Sequence, residues 1–413
     1  MVPEGWKVAQ LGELAKFSSG GTPSKQNLDL WGGDEPWISG KDLKSHYLTS
    51  SIDKLTLKGF SSAKKAPAGA SLILVRGMTL LKDFPVGYAT REVAFNQDLK
   101  ALIPNENIDG LFLSFLLVAE KEKVLKLVSV AGHGTGRLDT TLIKSLIVQL
   151  PPYDEQKKIA KILSAWDKAI EITEKILLNS QQQKKSLMQK LLTEKKRLLD
   201  KNGRRFNSEW KSCRLGDIGE IKSAGVDKKI VEGEVPVRLL NFTDVFKKTF
   251  IFADEINHWV SAPYSKVDGC NVLKGDVFFT PSSETREEVG MSAVVAADID
   301  SCCYSYHIVR FRIKENWDLN FKAFAFSTPT FRKQVSLLAD GSGQRYVVSQ
   351  DGFRSVMISY PPIEEQREIG KVLRLAEEET MILDKKLNLL KQEKKALMQQ
   401  LLTGKRRVKT EVA

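Results

Sequence analysis

The chain has 413 residues, of which 42% are hydrophobic and 28% charged, with a formal net charge of +12. That balance excludes a disordered chain, and the longest apolar run, "LFLSFLLVA" from Leu111, is well short of the roughly 18 residues a membrane span needs. The length points to two or three domains, and the positive surplus favours an anionic partner, of which nucleic acid is the commonest.

The opening "MVPEGWKVAQLGEL" lacks the charged-then-apolar pattern of a signal segment, so a cytoplasmic location is expected. From Trp6 to Leu150, β-prone runs such as "ASLILVRG" and "SLIVQL" are punctuated by Gly, Pro and Asn, which predicts a mixed α/β unit with small twisted sheets. "PPYDEQKKIAKIL" at Pro151 stops the strand pattern and opens a helix, with Asp154 placed favourably at its positive end. Along this helix Ile159, Leu163, Trp166, Ile170, Thr173, Leu177, Ser180, Lys184, Leu187 and Leu191 alternate spacings of four and three, which is a heptad seam. Basic residues Lys195–Arg197 are expected to close the helix at its negative end. The turn-rich "DKNGRRFNSEW" then reads as a linker, followed by further short strands such as "DVFFTP", "SAVVAAD" and "YHIVRFRI". Cys213, Cys270, Cys302 and Cys303 form no C-x-x-C pair, and with four histidines in the chain they read as ordinary thiols rather than zinc ligands.

The chain is written twice. "PPYDEQKKIAKIL" at Pro151 returns as "PPIEEQREIGKVL" at Pro361, an offset of 210 residues that also carries "KKSLMQKLLTEKKR" onto "KKALMQQLLTGKRR". Trp6 pairs with Trp210 at an offset of 204, so the second globular unit holds about six extra residues. The second helix opens with Glu364 and Glu365, and its seam runs through Ile369, Leu373, Ala376, Thr380, Leu383, Leu387, Leu390, Lys394, Leu397 and Leu401, closing at Lys405–Arg407. The expected organisation is a first domain at 1–150, a first spacer helix at 151–199 and a linker at 200–209. A second domain at 210–360, a second spacer helix at 361–407 and a tail at 408–413 follow. The fold class expected is α+β: two α/β domains separated by a long antiparallel two-helix coiled coil with pseudo-two-fold symmetry. A helix of about 44 residues at about 1.5 Å each makes a strut of roughly 65 Å. The alternative is that each helix packs separately on its own domain, and Lys184 and Lys394 are the seam positions that weaken the apolar stripe.

Catalytic chemistry finds little support. A base-modifying methyltransferase places Asn or Asp before two prolines and an aromatic, whereas Leu150 and Tyr360 stand there and Ile363 replaces the aromatic in the second copy. "GHGTG" at Gly132 is not followed by a phosphate-binding helix and acidic partner, and there is no Walker lysine loop or G-x-S-x-G elbow. The proline pair reads as a helix-entry device.

The two blocks, "PP(hydrophobic)(D/E)EQ(K/R)xI(A/G)K(I/V)L" and "KK(S/A)LMQ(K/Q)LLT(E/G)K(K/R)R", each present in both halves, resemble those of DNA specificity subunits of type I restriction-modification systems. The resemblance covers nearly the whole chain. It implies a non-catalytic subunit whose two target-recognition domains each read half of an asymmetric bipartite double-stranded DNA site. It also implies helices that act as spacer and dock two modification subunits, with restriction subunits completing the complex. S-adenosylmethionine, ATP and Mg would then reside on the partner subunits and no cofactor on this chain. Two rivals are a coiled-coil adaptor whose domains bind ligands other than DNA and a self-sufficient DNA-modifying enzyme.

Arg, Lys, Asn and Gln are the usual readers of base edges, and other basic groups grip phosphates. The candidates for DNA contact in the first domain are Lys41, Lys44, Arg76, Arg91, Gly134 and Arg137. In the second they are Arg238, Asn241, Arg286, Tyr306, His307, Gly343, Arg345 and Tyr346. Gly134 and Gly343 belong to the loops "GHGTGR" and "GSGQR", where glycine would allow close approach to a phosphate or simply a tight turn. Trp6 and Trp210 read as packing anchors.

Overall fold

The computed structural model describes residues 2–131, 134–342 and 344–409. The chain folds into two compact units, residues 1–174 with 386–413, and residues 175–385. Each unit therefore holds one globular domain and part of both long helices, Tyr153–Leu191 and Ile363–Leu401.

The first domain is organised around a five-stranded sheet in the order Ala15–Ser19, Leu99–Pro104, Ser71–Leu74, Val86–Ala89 and Tyr47–Leu48, antiparallel except for the last pair. The second repeats it with Gly219–Lys222, Val309–Ile313, Val277–Phe279, Ser292–Val295 and Phe250–Ile251, again parallel only at the last pair. Ser71–Leu74 and Val277–Phe279 are buried at every position, which is why both read as unbroken apolar runs rather than as alternating ones. The apolar run at Leu111 is a core helix, Gly110–Ala119, with Phe112, Leu113, Phe115, Leu116 and Leu117 fully buried. Among the described residues no helix is long and apolar enough to cross a membrane. A strand at the start of each domain pairs with the strand that precedes the prolines: Lys7–Gln10 with Ile147–Leu150, and Lys211–Arg214 with Met357–Tyr360. Each domain is thus closed on itself at the point where the helix begins.

The glutamine of the "EQ" motif fastens that junction. Gln156 donates from Nε2 to the Pro151 carbonyl at 3.0 Å and accepts from the Asp109 N–H at 3.0 Å. Gln366 repeats both bonds with Pro361 at 2.9 Å and Asp318 at 3.0 Å. Asp109 and Asp318 in turn cap the core helices Gly110–Ala119 and Leu319–Ala325. The helix that follows the prolines is therefore bonded to a cap of its own domain. Gly370, the one glycine in either helix, lets the backbone come close to that cap: a Cβ there would lie 2.5 Å from Asp318 Oδ1.

Both long helices stop sooner than the sequence suggests. They have 39 residues each and end at Leu191 and Leu401, so Lys195–Arg197 and Lys405–Arg407 do not close them as helical residues. Glu194 (φ 62°) and Gly404 (φ 66°) adopt the left-handed conformation that ends a helix, and the chain folds back. The returning arginines seek a carboxylate rather than the helix end. Arg197 makes a two-bond pair with Glu365 at 2.6 Å and 2.6 Å, and Arg407 makes one with Glu155 at 2.8 Å and 2.8 Å. These glutamates, in the first turns of the two helices, are 1% and 2% exposed. Trp6 Nε1 also donates to Glu155, at 3.1 Å, and the Arg407 guanidinium lies 5.9 Å from the Trp6 ring, so this tryptophan is an anchor. Trp210 holds the matching place beside Arg197, at 6.0 Å.

In each unit the two helix segments run antiparallel and bury the seam. Ile159, Leu163, Leu177, Leu191, Ile369, Leu373, Leu387 and Leu401 are buried, as are Thr173, Ser180 and Thr380. Trp166, Ile170, Leu187, Ala376, Leu383, Leu390 and Leu397 are half-buried. Ile159, Leu163 and Leu401 join the core of the first domain, and Leu191, Ile369 and Leu373 that of the second. The seam lysines, expected to weaken the stripe, are ion-paired instead. Lys394 bonds Asp167, which also accepts from Tyr47 OH at 3.2 Å, and Lys184 bonds Glu377, which accepts from Thr249 Oγ1 at 2.9 Å. In each unit a charge pair on the seam thus helps pin the register of the two helices and ties it to the adjoining sheet edge.

His46 lies next to that pair in the first unit, stacked on Phe115 at 4.9 Å with Nε2 3.1 Å from Ser114 Oγ. Burial, more than the nearby charges, pushes its pKa down to about 4. A folded-state value below the unfolded one means that its contribution is whole above about pH 6.5 and is lost as pH falls toward 4. Between pH 7.5 and 5 that loss is about 2 kcal/mol. Urea midpoints of His46→Phe, which keeps the stack, should fall less over this range than those of the wild-type protein. The Arg197→Met variant leaves Glu365 buried and unpaired, and should lower stability by about 3 kcal/mol. Arg407→Met should cost less because that arginine is 42% exposed and Trp6 still serves Glu155. Urea titrations of the two variants check the order.

Candidate nucleic-acid interface

Beside the sheets, each domain carries the same backbone frame of loops. A parallel strand pair, Trp31–Ile38 with Val93–Phe95, or Val235–Leu240 with Cys302–Tyr304, leads into it. Both strands then turn in the same way. Asp42 accepts from the Ser39 N–H at 2.8 Å, and Asp244 from that of Asn241 at 2.8 Å. The N–H groups of Asn96 and Ser305 donate to Ile38 and Leu240, at 3.0 Å and 2.9 Å. Next to these turns stands a three-stranded arm: Val128–Ala131, Thr135–Leu138 and Arg76–Gly77 in the first domain, Asp340–Ser342, Arg345–Val347 and Ser282–Ser283 in the second. The bonds from Leu138 N–H to Val75 and from Val348 N–H to Pro281, both 2.9 Å, set its register.

These matching bonds align the domains residue by residue. Ser39 corresponds to Asn241, Lys41 to Thr243, Lys44 to Phe246, Gln97 to Tyr306, Asp98 to His307, Arg76 to Ser282 and Arg137 to Val347. Arg345 corresponds to Thr135, two positions from Arg137, so the arginines that close "GHGTGR" and "GSGQR" are not equivalent. The backbone is shared and the side chains are not.

In the first domain Lys41 and Lys44 are exposed on the loop after Trp31–Ile38. Arg76 and Arg137 face one another across paired strands and line a cleft of about 450 Å3 with Gln97 and Lys100. Arg91 sits elsewhere, before the strand that leads to Gln97, and its guanidinium is ion-paired to Glu35 at 2.5 Å. Gly134 has φ 71° in the turn of the arm, while its neighbours Gly132 and His133 lie outside the described residues.

In the second domain Asn241, His307 and Arg345 line a cleft of about 660 Å3 together with Phe242, Lys228 and Glu284. Asn241 Oδ1 accepts from the Phe242 N–H at 2.9 Å and from Ser305 Oγ at 3.2 Å. Arg345 donates from Nε and Nη2 to Ser282 Oγ, at 3.1 Å and 2.8 Å. Burial, then the charges of Lys228 and Arg345, hold the pKa of His307 below its usual value, so the ring is neutral at pH 7. Tyr306 is exposed, with its ring 4.1 Å from that of His307. The Arg286 guanidinium lies 4.9 Å from the ring of Tyr346, which is half-buried against the core of the domain. Arg238 turns away from the cleft: it donates to the Ala253 carbonyl at 3.1 Å and lies over Trp259. Gly343 lies outside the described residues. Gly341 does have a packing role, since a Cβ there would lie 2.1 Å from the Arg345 carbonyl oxygen.

The structure thus draws Asn241, His307 and Arg345 into one cleft of the second domain and Arg76 and Arg137 into a cleft of the first, and under the residue correspondence the two linings share the position of Arg76 and Ser282. Gln97, Lys100, Lys228 and Glu284 were not among the residues expected from sequence. Gln97 stands two positions past the end of the run "VAF", after Asn96, and polar residues just beyond an apolar strand are the signal that could have found it. Among the described residues, no three His, Cys, Asp or Glu side chains cluster as a metal site would require.

The sequence model of the type I restriction modification DNA specificity domain matches residues 3–179 and again 207–392. The chain belongs to that family. The chain is similar along 99% of its length to the type I restriction enzyme MjaVIII specificity subunit of Methanocaldococcus jannaschii, with 27% identity over 424 aligned positions and 94% of that chain covered. It is also 34% identical over 165 residues to a type I restriction enzyme specificity subunit of Escherichia coli, a match that spans 39% of this chain and 40% of that one. Among solved structures, the S subunit of a type I restriction-modification system from M. genitalium aligns over 97% of this chain and 96% of its own, with a TM-score of 0.61 and 15% identity. A chain from a study of complex assembly and conformational transition of the type I system covers 98% of this chain and all of its own, with a TM-score of 0.57 and 18% identity. At such identities the structural likeness establishes the fold alone.

Proposed function

We propose that the two domains read the two unlike halves of a bipartite double-stranded DNA site, and that the paired helices fix the gap between them. The duplicated frame carries this reading: it presents two faces with the same backbone and different exposed side chains. Identical readers would favour a palindrome, and unlike ones an asymmetric target. The net charge of +12 supplies the sequence-independent attraction to phosphate. The chemistry is left to partners: two modification subunits that dock on the helices and methylate adenine N6 using S-adenosylmethionine, and restriction subunits that use ATP and Mg. This chain itself binds no cofactor and works in the cytoplasm.

Lys41, Lys44, Arg76, Arg137, Arg286 and Tyr346 are exposed or half-buried groups suited to phosphate and sugar contact. Arg91 and Arg238 contribute less, because Glu35 and Ala253 already engage them. Binding to duplex DNA by the complex with the modification subunits should weaken steeply with salt. Arg76→Gln or Arg137→Gln should each reduce the slope of log affinity against log salt by about one, with no change in the sequence preferred. A salt-independent affinity would count against DNA as the ligand. Four residues added to each long helix lengthen it by about 6 Å, which should widen the preferred gap by one or two base pairs while both half-sites stay the same. A map of methylated adenines in cells expressing the lengthened subunit measures gap and half-sites together.

A further inference from the structure

The two clefts differ in a way that separates gripping from reading. In the first domain the cleft is cationic: Arg76, Lys100 and Arg137 line it, and its one carboxylate, Asp139, is engaged as the cap of Thr141 at 2.7 Å. Three cations without a competing free acid suit a phosphate, which needs charge but not a fixed orientation.

The cleft of the second domain is built otherwise. Both acceptor bonds of Asn241 Oδ1 are taken up inside the domain, by Phe242 N–H and Ser305 Oγ. This fixes which way the carboxamide faces and leaves its NH2 group for an outside acceptor. The guanidinium of Arg345 is oriented by Ser282, and the neutral His307 ring can both donate and accept. Glu284 is exposed on the same cleft, where a free carboxylate would repel phosphate but accept from the amino group of a cytosine or adenine. Phe242 adds an apolar wall of the kind that meets a thymine methyl. Oriented donors, a carboxylate acceptor and an apolar wall form a set that matches base edges, and the exposed Lys228 beside them suits a flanking phosphate.

We propose that this cleft reads the base edges of one half-site, with Asn241 as a specificity-determining hydrogen-bond donor to a purine N7 or O6 or a thymine O4. Ser39 occupies the same frame position over the other half-site. The inference rests on the bipartite reading above. The test is a genome-wide map of methylated adenines in cells carrying the complete modification complex with wild-type, Asn241→Asp, Asn241→Ser or His307→Gln subunits. Asn241→Asp keeps both acceptor bonds but turns the outward donor into an acceptor and adds a negative charge, so the neutral Asn241→Ser, which installs the residue that the first domain carries at this position, separates lost reading from charge repulsion.

A bipartite motif in the wild-type map upholds the underlying reading, and a motif without two halves overturns that reading whatever the variants do. Given two halves, the Asn241 variants should lose about ten- to a hundred-fold preference at one base position of one half, with the other half and the gap unaltered. His307→Gln should weaken preference in the same half. With the neutral Asn241→Ser, an unchanged motif, a uniform fall in methylation at all sites, or changes in both halves would overturn the assignment of Asn241 as a reader.

Discussion

The structure depends on a buried carboxylate at the first turn of each long helix and the arginine that returns to it from past the end of the other. Glu155 with Arg407, and Glu365 with Arg197, bind each helix start to the tail of its antiparallel neighbour within one unit. A charge so deeply buried tolerates no other arrangement, because leaving it unpaired costs several kcal/mol. The pair therefore sets helix direction, and the seam pairs Asp167–Lys394 and Glu377–Lys184 set the register. The glutamine beside each buried glutamate then ties the helix to a core-helix cap of its own domain.

On that support each domain can vary its exposed loops without disturbing its framework. The frame is held by backbone bonds and by carboxylates that accept from backbone N–H groups, Asp42 at Ser39 and Asp244 at Asn241. The side chains that face outward from it take no part in those bonds, except Asn241 Oδ1 and Ser39 Oγ, which donates to Asp42 at 2.9 Å. Such a division suits a protein whose two halves need one architecture and two specificities: sequence change at the loops carries little stability cost, and change at the anchors carries much.

Much of the fold was legible because it was stated twice. The offset of 210 residues linked the proline-led blocks, and heptad spacing placed the seam from Ile159 to Leu191 and from Ile369 to Leu401. The helix ends were less legible, since Lys195–Arg197 and Lys405–Arg407 fit a helix terminus by composition. Only the left-handed backbone at Glu194 and Gly404 and the distant glutamates reveal that these arginines serve another element. Lys184 and Lys394 likewise read as flaws in an apolar stripe until their acidic partners, roughly two hundred residues away, were in view. At the interface, residue type singled out Asn241, His307 and Arg345 but equally Arg238 and Arg91, whose charges are engaged elsewhere.

What the amino-acid sequence determined by itself was periodic or repeated: strand and helix type, two copies of one plan, and family membership. The first two follow from short-range spacing and from comparison of the chain with itself, and family membership from the likeness of the repeated blocks to those of known specificity subunits. Only the tertiary structure decided which polar side chains are occupied and which are free to meet a ligand, and that Ser39 and Asn241 hold one position in two unlike domains. A hydrogen bond or ion pair depends on atoms brought together from distant parts of the chain, and no local pattern encodes that distance.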